Sequence, residues 1–298
     1  MKIITSNFET KVHGKWILTG EHAVLRGHAA IIFPVNTKSL TLQYTRTENE
    51  ARAEFTGEYG DELQFLFWSA LERAIEILAL NHSNILGNFR LENHIPVGCG
   101  MGASAALCVA IGRWFVANGQ VQQENLLEFA RQLENLFHNE SSGADIAVAI
   151  AGQGIYFSRS GGMHPIKINW HPNWYLSFSG KASTTSRCVK KVKELWITDK
   201  NTAESIDQQM AESVNLAVNA LQSEKNEGIQ LLKTALNKGY ECYKAWDLND
   251  DVLNQHAELL IHHGATAVKP TGSGDGGFML SLWPDDVQIP ETLPLIRV

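Results

Sequence analysis

Pro96-Val97-Gly98-Cys99-Gly100-Met101-Gly102-Ala103-Ser104-Ala105-Ala106 is the stretch on which the reading of this chain turns. Glycines at alternate positions let the backbone turn tightly and bring its N–H groups against a ligand without side-chain obstruction. Small residues then open a helix, whose unsatisfied first amides and positive dipole end favour an anion such as phosphate. Ser104, in the first turn of that helix, can offer its hydroxyl to a metal ion. The Lys-Ser/Thr ending of a Walker A loop is missing, so the loop is not of that kind. A glycine turn that only lets a helix pack closely is the other reading of the same residues.

On either side of the loop the chain alternates strands and helices. Residues 12–18, 29–35 and 39–44 read as strands, the last from Leu40, Leu42 and Tyr44 alternating with polar partners. Residues 61–80 are long enough for a helix, with Leu63, Leu66, Phe67, Leu71, Ala74, Ile75 and Leu78 on one face. Phe65, Trp68 and Ile77 widen that face, which predicts burial on more than one side. A strand through Phe89 and Leu91 leads into the loop, and a small-residue helix follows over 103–116. A further helix over 124–138 sets Leu126, Phe129, Ala130 and Leu133 toward the core, with Glu134 and His138 as neighbours on its polar side. Beyond a short helix after Asp145 come a strand at Tyr156 and Phe157, another over 174–178, several helices over 183–263, and a strand–turn–strand over 265–282. The domain boundary is placed at Trp170, dividing the chain into 1–169 and 170–298.

Composition narrows the function classes. A chain of 298 residues can support two modest cores. A formal net charge of −7 leaves no surplus of Lys and Arg for a nucleic-acid backbone. Cys99, Cys108, Cys188 and Cys242 are scattered without a C-x-x-C spacing, which predicts reduced thiols and a cytoplasmic location. The N-terminal residues lack the apolar core of a signal peptide, and no apolar run reaches the roughly 18 residues of a membrane span.

Other stretches pair with the loop. Gly14-Lys15-Trp16-Ile17-Leu18-Thr19-Gly20-Glu21-His22-Ala23-Val24 places a lysine in an apolar strand and an acid and a histidine in the turn after it. Taken alone, that is an edge-strand lysine beside a solvated turn. Glu134 and Asp145 stand eleven residues apart, around His138-Asn139-Glu140-Ser141-Ser142-Gly143-Ala144. Lys269-Pro270-Thr271-Gly272-Ser273-Gly274-Asp275-Gly276-Gly277-Phe278 satisfies G-x-G-x-x-G. The dinucleotide reading fails there, because a strand follows where a helix is required. Ser183, Thr184 and Thr185 precede a helix and read equally as an N-cap.

Taken together and in this order, these stretches resemble the motifs of the GHMP kinase superfamily, and Gly-Glu-His-Ala-Val over 20–24 is similar to the form found in the mevalonate kinase family. Met101, Ala103, Asn139, Ser141 and Asp275 depart from the usual Leu, Ser, Gly, Pro and Gly. The resemblance implies an α+β fold with an N-terminal domain like ribosomal protein S5 domain 2 over 1–169 and a ferredoxin-like domain over 170–298. It implies an ATP- and Mg2+-dependent kinase acting on the primary hydroxyl of (R)-mevalonate in isoprenoid biosynthesis. Asp145 and Lys15 are then catalytic. Pro96, Gly98, Cys99, Gly100, Met101, Gly102, Ala103 and Ser104 bind nucleotide. Glu21, His22, Thr185 and Gly274 bind substrate, and Ser104 with Glu134 holds the metal. Relatives also suggest a homodimer. A related kinase for a sugar, homoserine or phosphomevalonate, and a non-catalytic ligand-binding relative, are the alternatives.

Overall fold

Alternation of apolar and polar side chains builds the first layer of the protein. In the computed structural model, which describes residues 7–137 and 141–298, the strands β1 (Phe8–Thr19) and β2 (Ala30–Glu50) pair with each other. They are followed by β3 (Arg52–Thr56), helix α1 (Gln64–Ile77) and β4 (Leu86–Asn93). Next come α2 (Ala103–Ala117), α3 (Leu126–Glu134) and α4 (Ala144–Ala151), and then β5 (Ile155–Ser158), β6 (Gly162–Pro165) and β7 (Asn173–Phe178). Four helices follow: α5 (Thr185–Thr198), α6 (Lys200–Gln222), α7 (Lys225–Ala245) and α8 (Asp251–His262). The chain ends on β8 (Ala267–Thr271), β9 (Phe278–Trp283) and β10 (Leu295–Arg297). The architecture is α+β, as the motifs implied. No helix among the described residues is long and apolar enough to cross a membrane.

The chain divides into two compact units that interleave along the sequence. One is formed by Met1–Lys15, Pro34–Val97 and Met101–Gly152, the other by Trp16–Phe33, Gly98–Gly100 and Gln153–Val298. β1 and β2 each contribute residues to both units.

Within the first unit, β2 pairs antiparallel with β4, setting Leu42 opposite Leu91 and Tyr44 opposite Phe89, and β3 runs parallel to β4. Buried Phe89, Leu91 and Asn93 alternate on β4 with exposed Asn88, Arg90 and Glu92, as one covered face of a sheet requires. Tyr44, Phe67, Phe89 and Trp114 meet ring to ring at centroid distances of 4.9–5.2 Å. That aromatic core fixes α1 and α2 against the sheet. α2 is buried almost all round, and α1, α3 and α4 pack against it. Within the second unit, Ala30–Ile32 of β2 pair with β5, and β5 pairs with β6. A four-stranded antiparallel sheet in the order β10-β7-β9-β8 is covered by α7 and α8, with α6 packed along α7.

The structure corrects four details of the sequence reading. The stretches 29–35 and 39–44 are one strand, β2, which changes partner between its two ends instead of breaking. The expected helix over 61–80 is α1 alone, preceded by a 3-10 turn, and Phe65 is 79% exposed on it. Its buried side is the single face of Phe67, Ala70, Leu71, Ala74 and Ile75, so it is covered on one side. The helix expected to reach His138 ends at Glu134, and His138 and Asn139 lie outside the described residues. β6 and β10 are short strands that no periodicity in the sequence announced.

Candidate active site

In the first unit, the loop and the motif lysine meet directly. The backbone N–H of Lys15 donates to Met101 O at 2.8 Å, pinning β1 to the loop. Gly102 has φ 76°, and a Cβ there would lie 2.8 Å from Cγ of Lys15. The glycine is therefore required twice, for its left-handed backbone and for the space that the lysine stem occupies. Lys15 Nζ is 2.9 Å from Asp145 Oδ2, with side-chain exposures of 6% and 28%. Asp145 sits in the first turn of α4, where the helix dipole favours a carboxylate.

Glu134 closes this group from the end of α3. Its carboxyl is pushed up to about 7, first by burial and then by the charge of Asp145, while Ser141 and Lys15 act in the opposite direction. Ser141 Oγ donates to Glu134 Oε2 and accepts from Gly143 N at 3.1 Å, tying the acid to the turn that delivers Asp145. The Cys108 thiol on α2 is raised well above its ordinary value by burial and then by the charge of Glu134. Ser104 lies one turn before Cys108, on the same face of α2.

Two oxygen donors of this kind suit magnesium. A hard cation asks for carboxylate and hydroxyl oxygens, and it takes only one or two carboxylates while keeping several waters. The Glu134 carboxyl, raised by burial and then by the neighbouring negative charge, is a group whose ionisation a cation would favour. Among the described residues, no cluster of three or more His, Cys, Asp and Glu side chains is present, and magnesium does not require one.

In the second unit, the turn after β1 is joined to the glycine turn between β8 and β9. His22, at φ 55°, holds Ser273 O through Nε2 at 2.8 Å and stands edge-on to Trp246 at 5.2 Å. Its pKa is lowered to about 4, chiefly by burial, so the imidazole is neutral at pH 7. Glu21 is 2% exposed and forms an ion pair with Lys269, itself wholly buried, whose Nζ also donates to Pro270 O at 2.6 Å. Lys269 lies over the ring of Tyr243, and the Tyr243 hydroxyl donates to Gly272 O. Ser183 Oγ reaches Ser273 Oγ at 2.8 Å and donates to Gly274 O, and Thr185 Oγ1 stands 3.4 Å from Ser273 Oγ. Thr185 is the first residue of α5, and the preceding Thr184 makes no side-chain cap bond, so the capping reading of this cluster fails.

Of the residues that the sequence singled out, Lys15, Gly102, Glu134 and Asp145 come together in one group, and His22, Thr185 and Gly274 gather at Ser273. Gly98, Cys99 and Gly100 lie beside the second turn, since a Cβ on Gly277 would come within 3.2 Å of Cys99 O. Pro96 is buried at the foot of the loop, with Met101 and Ala103 buried beyond it. Glu21 is committed to Lys269. Ser141, Lys269 and Tyr243 were not given roles by sequence. Ser141 stood out only as a departure from the motif, and Lys269 only as the first residue of the quoted glycine stretch.

The family model described as "GHMP kinases N terminal domain" matches residues 66–153. Mevalonate kinase of Pyrococcus horikoshii is 26% identical over 294 residues, covering 91% of this chain and 87% of the relative. Among solved structures, L. major mevalonate kinase in complex with R-mevalonate superposes with TM-score 0.78 at 21% identity, covering 96% of this chain and 90% of that one. Lactococcus lactis galactokinase complexed with galactose superposes with TM-score 0.72 at 15% identity, covering 95% and 87%. The same fold thus carries kinases for different alcohols.

Proposed function

We infer that this chain, a GHMP kinase similar to the mevalonate kinases, transfers the γ-phosphoryl group of ATP to the primary hydroxyl of (R)-mevalonate. The observation that carries the reading is the Lys15–Asp145 pair at 2.9 Å beside the glycine loop that opens α2. Relatives named mevalonate kinase that align over nine-tenths of the chain favour mevalonate over a sugar.

Phosphoryl transfer asks mainly for alignment and for stabilisation of spread negative charge. Lys15 is already held against Asp145, so its ammonium favours the anionic form of any hydroxyl placed beside the pair. Asp145 takes the hydroxyl proton on its carboxylate as the alcohol oxygen attacks. The N–H groups from Gly98 to Ala103 face the phosphates, and the first turn of α2 adds its dipole. Magnesium would be held by Ser104 and Glu134, and when bound it neutralises charge on the phosphate oxygens. On the alcohol side, His22, Thr185 and Gly274 act around Ser273, and Glu21 acts through Lys269. We assign 1–169 to the ATP-binding domain, which contains the whole of the family match, and 170–298 to the C-terminal domain. The same proposal includes a cytoplasmic location, supported by four free cysteines, and a homodimer, which sedimentation checks.

ADP release with Mg-ATP, measured against (R)-mevalonate, phosphomevalonate, galactose and homoserine, tests the assignment. Mevalonate is expected to give the highest kcat/KM by at least about tenfold, the worth of one well-made polar contact. Absence of ADP release with mevalonate, or a clear preference for another alcohol, rejects the substrate.

A further inference from the structure

Within the turn 272–277, Asp275 is the one residue with a side chain at positive φ, 54°, in line with Gly274, Gly276 and Gly277. A residue with a Cβ adopts that conformation only when its surroundings hold it there. Asp275 Oδ1 meets Lys181 Nζ at 2.8 Å, and the same ammonium meets Asp250 Oδ2 at 2.5 Å. Asp250 in turn caps α8, its Oδ1 accepting from Leu253 N at 3.0 Å. Backbone bonds run alongside: Asp275 N to Leu248 O at 2.8 Å, Gly277 N to Lys181 O at 2.7 Å, and Ser179 N to Gly277 O at 3.0 Å. The carboxylate is thus neutralised by Lys181, with Arg187 Nε standing 3.7 Å from its other oxygen.

We propose that Lys181, Asp275 and Asp250 form an ionic clasp that fixes the glycine turn 272–277 in one conformation, making Lys181 and Asp275 positioning residues for the alcohol substrate. Asp275 stands where the family motif usually has glycine: flexibility is given up, and a cation tethers the turn to the segment before α5 and to the cap of α8. Without Lys181, two carboxylates face each other beside that turn, and repulsion opens it. The link to substrate rests on the kinase reading, because it requires the turn that carries Gly274 to lie at the reacting alcohol.

Hydrogen exchange and kinetics of Lys181→Met, Asp275→Gly and the double variant test this. The amides of Asp275 and Gly277 are expected to exchange at least about tenfold faster in each single variant, with α6 and α7 protected as before. KM for mevalonate is expected to rise about tenfold in each single variant with kcat within about twofold, and the double variant to be no worse than either. Unchanged exchange at residues 275 and 277, or a double-variant KM equal to the product of the two single effects, overturns the clasp. A drop in thermal stability with KM unchanged overturns its positioning role. Exchange is measured without substrate, so an absence of mevalonate turnover in the parent protein rejects the kinase reading while the exchange rates still decide the clasp.

Discussion

At the scale of single residues, the first unit gathers one cation and two acids, and the order of their roles can be tested. Asp145→Ala removes the proposed proton acceptor and leaves Lys15 without its ion-pair partner. Turnover is expected to fall by at least about a hundredfold with the fold intact by circular dichroism. Retention of activity near the parent level would falsify the assignment of the base. Glu134→Gln keeps the size and the contact with Ser141 but removes the charge. It is expected to raise the magnesium concentration for half-maximal rate by about tenfold or more, and an unchanged magnesium titration excludes Glu134 as a ligand. Lys15, Glu134 and Asp145 were legible because their spacing sits within recognisable stretches. Ser141 was not, since a serine in a turn has no periodic signature, and its bond to Glu134 exists only once α3 and α4 meet. Glu21 was singled out by the resemblance alone, and its ion-pair partner Lys269, 248 residues away, could not be read from local spacing.

At the scale of elements, helix packing depends on small residues where backbones approach. In α7, a Cβ added to Gly228 would lie 2.5 Å from Ala220 O on α6 and 2.5 Å from Nε1 of Trp170. Trp170 Nε1 donates to that same carbonyl at 2.8 Å, so neither atom can retreat without breaking the bond. Alanine gains about 1 kcal/mol of helix propensity over glycine, whereas overpacking a fixed contact costs about 1–3 kcal/mol. The clash is therefore expected to win, and Gly228→Ala should lower the urea midpoint. A raised midpoint shows that α6 and α7 part without penalty. Helix and strand types followed from periodicity, while element ends did not. α3 stops at Glu134 although its apolar pattern continues through Leu136 and Phe137, because the chain turns there to reach Ser141, whose N–H is taken by Asn135 Oδ1 at 3.0 Å. β6 escaped notice because all four of its residues are exposed and no alternation is imposed on them.

At the scale of the whole molecule, burial links His22 to stability. Its pKa falls from the ordinary histidine value of 6.5 to about 4 in the folded protein, with burial as the first cause. The unfolded chain then binds more protons between those values, so this group's contribution is complete above pH 6.5 and is lost as pH falls toward 4. The full loss is about 3 kcal/mol at 1.36 kcal/mol per unit. Glu134, raised to about 7, has the opposite slope, so the difference between parent and His22→Gln isolates the imidazole. That difference in unfolding free energy, measured with chelator present, is expected to shrink as pH is lowered from 7 to 4.5. A difference constant over that range rules out a neutral buried imidazole.

The amino-acid sequence alone determined the helical and extended segments and the glycine loop that opens α2, because periodicity and glycine spacing act through neighbours in the chain. The resemblance carried by its motifs implied the α+β class and singled out Lys15 and Asp145, which the fold joins as an ion pair. Tertiary structure alone decided that Lys269 neutralises Glu21, that Ser141 holds Glu134, and that Asp275 turns toward Lys181. Each of these is an interaction of a buried or half-buried charge, and such a group takes whichever partner the completed fold brings within hydrogen-bonding distance, however far off it lies along the chain.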